Sequence, residues 1–215
     1  MRKSGVLMHI TSLPGKYGVG TMGKNAYQFV DFLKKSGQSY WQILPLTPTG
    51  YGDSPYQSYS TFAGNHYLID LETLVEEGLL CPEELDSIQW SYREDKVDFG
   101  LLYNNRLKVL RKAFQRHGET EEFAKFRADN DSWLPQFASY MVLKERFAYK
   151  PWYQWPEGMV RWSAQALEHA LEYAGYEGFH FYCFASFIYY ICVIFFIRIE
   201  CFACINSTLF YVDTF

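Results

Sequence analysis

The first readable element is Gly5 to His9 (GVLMH), a short apolar run closed by the turn-forming SLPGKYGVG, which predicts a buried strand running into a loop. In NAYQFVDFLKKSG the apolar residues Ala26, Phe29, Val30 and Leu33 recur at i, i+3, i+4 and i+7. Asn25 is placed to cap the start, and Lys34 and Lys35 precede Gly37 at the end, so the segment predicts an amphipathic helix. SYWQILPL, residues 39–46, predicts a second buried strand stopped by Pro45. Strand, helix, strand in this order is a βαβ unit and implies a parallel sheet.

Beyond it the periodicity becomes helical. NHYLIDLETLVEEGLL reads as a short extended piece and a small helix. LLYNNRLKVLRKAF puts Tyr103, Leu107, Leu110 and Phe114 on one stripe, and 121–147 does the same with Leu134, Phe137 and Met141. After the aromatic, proline-marked PWYQWPEGMVRW, SAQALEHALEYA resumes a helix from a Ser163 cap. No third strand is evident upstream of residue 179, so this segment reads as a helical subdomain packed on the edge of a sheet or barrel.

Near residue 179 the pattern breaks. The last stretch carries only Arg198, Glu200 and Asp213 as charges, and Phe181 to Ile197 is a run of 17 residues with none. That is the short end of what a spanning helix needs. The run is crowded with aromatic and β-branched residues throughout, whereas spanning helices gather Trp and Tyr at their ends, and it has no basic flank. Three readings stand: an altered reading frame, which the abrupt change of composition favours, a membrane anchor, or a buried core segment. The Asn206-Ser207-Thr208 sequon matters only in a secreted chain. The expected division is therefore 1–80, first strands and loop; 81–178, helical subdomain; 179–215, aromatic tail.

Composition narrows the function. With 49% hydrophobic residues the chain has material for a packed core, and a formal net charge of -4 gives no basic stripe for nucleic acid. Cys81 stands alone before residue 178, with Cys183, Cys192, Cys201 and Cys204 all in the tail, so no disulfide framework supports the body. The opening MRKSGVLMHITSLPG has no long apolar segment of a secretory signal, and a cytoplasmic protein is expected. Five scattered histidines without a ligand-spaced pair argue against a metal site, and His9 reads as structural.

Ligands of α/β folds bind at the carboxyl ends of the strands, which puts the loops after His9 and Leu46 on one functional face. The second loop holds GYGDSPYQSYSTFAGN, where glycines and Pro55 exclude regular structure and leave Tyr51, Tyr56 and Tyr59 to be explained. A flat aromatic face with a hydroxyl at its rim suits ligands that are apolar on one side and polar around the edge, as sugar rings are. Ser54 and Gln57 have the chemistry to bond sugar hydroxyls or to stabilise the turn. Asp53, a lone acid on a turn, reads as satisfying its own backbone rather than as a catalyst.

HITSLPGKYGVGTMG, YWQILPLTPTGYGDSPYQSYSTFAGNHYLIDL, VDFGLLYNNR and PWYQWPEG, in that order and spacing, closely resemble the N-terminal part of bacterial 4-α-glucanotransferases, the amylomaltases of glycoside hydrolase family 77. The resemblance runs from about residue 4 to about residue 180 and implies the first strands of a (β/α)8 TIM barrel with a helical insertion subdomain. It implies transfer of α-1,4-glucan segments to another glucan or to glucose by a retaining double displacement, without a cofactor. Tyr56 would stack on the sugar at the cleavage site, and Tyr51 and Tyr103 match positions that form a second glucan site in some relatives. The family's catalytic carboxylates lie on later strands, so no catalytic residue is assigned here. The expectation is a truncated and inactive 4-α-glucanotransferase, whose partners are maltooligosaccharides or other α-1,4-glucans with glucose as acceptor, and a non-catalytic glucan-binding fragment or a tail-anchored membrane protein is the alternative.

Overall fold

A computed structural model describes residues 2–50, 52–93, 95–159, 163–203 and 209–212. They fall into two compact units, Met1–Arg116 with Ile188–Phe215, and His117–Phe187.

In the first unit, β1 (Gly5–Leu7), α1 (Lys24–Lys35) and β2 (Tyr40–Gln42) form the strand–helix–strand arrangement expected from the pattern. The strands are parallel, with Gly5 opposite Tyr40 and Leu7 opposite Gln42. Both are shorter than their apolar runs. His9 instead ends the extended stretch before a 3-10 turn, Ile10–Ser12. Helix α1 buries Ala26, Val30 and Leu33, and Phe29 packs edge-on against the buried Trp41 of β2 at 4.9 Å. Its N-cap is Gly23, because the Asn25 amide turns away to donate to the Pro14 carbonyl at 2.8 Å.

Short elements follow β2: a 3-10 turn, His66–Leu68, then α2 (Leu71–Glu76) and α3 (Pro82–Asp86). Asp70 caps α2 by accepting from the Thr73 N–H at 2.9 Å, and its other oxygen accepts the Thr21 hydroxyl at 2.5 Å. This carboxylate therefore ties the helix start to the loop after β1. Helix α4 (Phe99–His117) buries Leu102, Arg106, Val109, Leu110 and Ala113. The buried stripe lies one position off the Tyr103–Leu107–Leu110–Phe114 row, and the reason is Arg106, a charged residue on the inward face.

The second unit holds α5 (Glu121–Asp129), α6 (Leu134–Arg146) and the first part of α7 (Ala164–Glu200), which is broken at Gly175 by a non-helical backbone. Among the described residues Phe123, Phe181 and Phe184 are its fully enclosed aromatics. Arg127 lies over the Phe123 ring at 4.9 Å and bonds His180 Nδ1 at 2.7 Å. Burial and that guanidinium both push His180 below its ordinary value. Trp155 of the proline-marked connection packs on Tyr140 and Phe147.

The apolar run is helical and mostly enclosed. Its most apolar window, Glu177–Ile194, has the length and composition to cross a membrane, yet 56% of it is buried in the protein. Within the first unit, the Tyr189 ring lies where a side chain on Gly64 would have to go, and Cys192 is buried beside Asp70, with its thiol pushed up to about 11. After α7 come β3 (Cys201–Ala203) and β4 (Leu209–Val212). β4 pairs antiparallel with β2, and the sheet order is β1-β2-β4-β3. Among the described residues no other strand lies between β2 and β3.

Candidate functional site

The loop after β2 leaves and returns at one place. The Asn65 N–H donates to the Leu46 carbonyl at 2.9 Å, and the Asn65 side chain caps the 3-10 turn by accepting from the Tyr67 N–H at 3.0 Å. Inside this frame, the Gly50 N–H donates to the Gln57 carbonyl at 2.8 Å, Asp53 N–H to Gly50 at 3.2 Å, and Gln57 N–H to Ser54 at 3.1 Å. The tip turns through left-handed backbone at Gly52 (φ 82) and Asp53 (φ 55). That conformation is easy for Gly and tolerable for Asp, which is what a Gly-Asp pair at this point supplies.

The result is a pinned loop with an aromatic on its outside. Tyr56 is 74% exposed, and Gln57 is exposed beside it. Ser54 and Asp53 are half-buried. The Ser54 hydroxyl accepts from the Tyr56 N–H at 3.4 Å, so it has a turn-stabilising role already. Partial burial raises the Asp53 carboxyl above its ordinary range. Ser60 closes the next turn, its hydroxyl accepting from Phe62 and Ala63. Residues 53, 54, 56 and 57 thus share one loop. Tyr103 sits on the first turns of α4, 49% exposed rather than in the core stripe, and Tyr51 lies outside the described residues.

His9 connects the ends of the two strands: its Nδ1 accepts from the Leu44 N–H at 3.3 Å, and burial lowers its pKa, favouring the neutral ring. Among the described residues no group of three His, Cys, Asp or Glu side chains could hold a metal ion.

The support beneath the loop was not foreseen from the pattern. Arg106 is fully buried, and its Nη2 donates to the carbonyls of Tyr67, at 3.0 Å, and Ile69, while Nε and Nη1 have no hydrogen-bond partner. The segment that receives the returning loop is therefore held from below by a guanidinium. Desolvation lowers the Arg106 pKa to about 10, partly opposed by the Asp70 carboxylate, so it stays charged at neutral pH. His66, half-buried and facing that charge, is pushed down to about 3, first by desolvation and then by Arg106. The available signal was a single Arg spaced four from Leu102 and three from Val109, on the inward face of a helix.

The family model described as 4-alpha-glucanotransferase matches residues 8–192, which includes both strands, the loop and the start of the apolar run. The 4-alpha-glucanotransferase of Streptococcus pneumoniae (strain TIGR4) is 51% identical over 171 residues, 78% of this chain and 34% of the relative. That of Thermus thermophilus is 43% identical over 195 residues, 88% of this chain and 38% of the relative. Among solved structures, an amylomaltase from Streptococcus agalactiae in complex with acarbose superposes with a TM-score of 0.84 at 37% identity, covering 91% of this chain and 40% of that one. The chain spans roughly a third of the length of the curated relatives it matches. With the family match covering most of the chain, and the loop and βαβ unit falling inside it, the chain belongs to glycoside hydrolase family 77, the 4-alpha-glucanotransferases.

Proposed function

We propose that this chain carries the glucan-holding loop of a 4-alpha-glucanotransferase, and that the 215 residues by themselves bind α-1,4-glucan without transferring it. In this reading β1, α1 and β2 are the first elements of a (β/α)8 barrel, residues 81–178 are an inserted helical subdomain, and 179–215 are a tail whose β4 pairs with β2. Substrates are maltooligosaccharides, with glucose or another glucan as acceptor, handled in the cytoplasm.

The observation that carries the reading is Tyr56, an exposed phenol ring on a loop whose backbone is pinned at both ends. A ring held this way stacks on a sugar face without a large ordering cost. Gln57 and Ser54 stand beside it with groups that match sugar hydroxyls, and Tyr51 and Tyr103 are assigned to a second contact.

Transfer with retention needs two carboxyl groups about 5 Å apart across the bond, one attacking and one protonating the leaving oxygen. The loop offers a single acid, Asp53, whose left-handed backbone at the turn is consistent with a structural role. Loop chemistry alone therefore positions and does not cleave.

Maltotriose disproportionation and calorimetry test the two halves. The purified chain is expected to bind maltotriose, to produce neither glucose nor longer glucans, and to bind about threefold to tenfold more weakly as Tyr56→Ala, the loss of one aromatic stacking contact. Product formation by the chain alone would overturn the non-catalytic half, and unchanged affinity in the variant would overturn the loop assignment.

A further inference from the structure

A second cleft lies in the first unit, away from the 50–57 loop. It is bounded by residues 11–19, the loop after β1, and by 85–99, the connection between α3 and α4, and encloses 1260 Å³. None of the described residues of the 50–57 loop lines it. The volume exceeds the roughly 300–1,000 Å³ of ordinary small-molecule pockets and so suits an extended ligand.

Its floor is fixed by close approach. Gly18, at φ 80, lets the loop press on Trp90: a Cβ there would stand 2.6 Å from the Trp90 carbonyl oxygen. Tyr17 and Trp90 meet edge to face at 5.8 Å, and the Trp90 indole donates to the Leu85 carbonyl at 2.9 Å. Tyr92, in the same lining, is 78% exposed. The stretch that carries it is closed by Ser91, whose hydroxyl lies 2.6 Å from the Arg93 carbonyl and 3.0 Å from that of Lys96.

Four of the five charged side chains in the described lining pair with one another, and the fifth is Lys96. Lys16 meets Asp86 at 3.1 Å, and Arg93 grips Asp95 through both Nε and Nη2 at 2.8 and 2.6 Å. A phosphorylated or nucleotide ligand would have to compete with Asp86 and Asp95 for every cation of the described lining but Lys96. A neutral polyol need not, and Thr11, Ser12, Asn25 and Gln89 add hydroxyl and amide groups to the lining. An exposed phenol and two packed aromatics in one lining, neutral hydrogen-bonding groups and a volume with room for several sugar rings are together the requirements of an oligosaccharide.

We propose that this cleft is a separate binding site for a neutral glucan segment, with Tyr92 as its stacking face. The proposal rests on the glucan reading of the family, and its test keeps the two apart. The intact chain is titrated with maltoheptaose by calorimetry, alongside Tyr92→Ala, Gly18→Leu and Tyr56→Ala, with urea midpoints measured for each. Two classes of site are expected in the unaltered chain. Tyr92→Ala, at an exposed position, should weaken one class about threefold to tenfold at an unchanged midpoint, and Tyr56→Ala should leave that class alone. Gly18→Leu should abolish the same class, because its side chain would part the floor. Loss of all binding in Tyr92→Ala with none in Tyr56→Ala would support the cleft and sink the loop. A single class lost in Tyr56→Ala and indifferent to Tyr92→Ala overturns the cleft, as does the absence of any maltoheptaose binding. Tighter binding of glucose 6-phosphate than of glucose in this class would overturn the neutral-ligand assignment.

Discussion

Arg106 shows how a single side chain decides whether the loop has a base. Burying a guanidinium costs several kcal/mol, and two of its nitrogens obtain no partner in return. It is retained in an otherwise apolar stripe because Nη2 satisfies two carbonyls, of Tyr67 and Ile69, that no backbone ladder reaches. Arg106→Met removes the orphaned donors and also strands those carbonyls, each a loss of about 1–3 kcal/mol. The second effect should win, because methionine can fill the volume but donates nothing. The expected outcome is a urea midpoint lowered by the equivalent of roughly 2–3 kcal/mol, with faster amide exchange at Tyr67 and Asn65. A midpoint that stays or rises would mean that the buried charge costs more than its bonds return.

At the scale of elements, the strands and α1 could be read directly, because their apolar positions face one way and little else competes. Ala26, Val30 and Leu33 are buried as the 3.6-residue period requires. The strand ends were not legible: a continuous apolar run does not say where pairing stops, and pairing covers three residues of each strand. Helix α4 was misphased by one position because a hydrophobic count treats arginine as outward-facing, and the cap of α1 was assigned to Asn25 because a side chain able to cap was present. The loop residues were legible as a cluster, since Gly and Pro exclude regular structure, but Arg106 and the Asp70–Thr21 bond join positions far apart in the chain.

The 3-10 turn His66–Leu68 carries a pH dependence of definite sign. His66 titrates near 6.5 when unfolded and about 3 when folded, so between those values the unfolded chain binds more protons. Stability is then complete above pH 6.5 and falls progressively toward pH 3. Each unit is worth at most about 1.4 kcal/mol, so the step from pH 6.5 to 5 costs up to roughly 2 kcal/mol. His9 adds in the same direction. Glu84, gripped by Arg116 and held near 2, contributes a weaker loss below its ordinary 4.5, because its partners are partly exposed and screened. Urea titrations at pH 7.5, 6 and 5 should show the decline, and His66→Gln should flatten it. A slope unchanged in that variant would place the proton elsewhere.

For the molecule as a whole, the decisive feature is what covers β2. A parallel pair such as β1 and β2 leaves backbone donors and acceptors open on each outer side, and an open edge is a template for pairing with another chain. Here β4 closes the β2 side, with Phe210 opposite Trp41 and Leu209 opposite Gln42. Composition made the tail look foreign, and composition cannot register that a strand from it matches an edge nearly 170 positions earlier, because pairing depends on register and not on residue type. The described part of α7 that follows Phe187 adds Ile188 and Cys192 to the buried residues of the same unit. If this closure keeps the chain monomeric, breaking it should produce association before unfolding. Phe210→Pro removes a ladder donor and cannot sit in a paired central position. The expected result is a shift to larger species in light scattering at micromolar concentration, with the helical circular dichroism kept, and deletion of residues 201–215 should do the same. Lowering the concentration should reverse the shift, since pairing at an edge is bimolecular. Monomeric elution of both variants would show that the β2 edge is protected without β4.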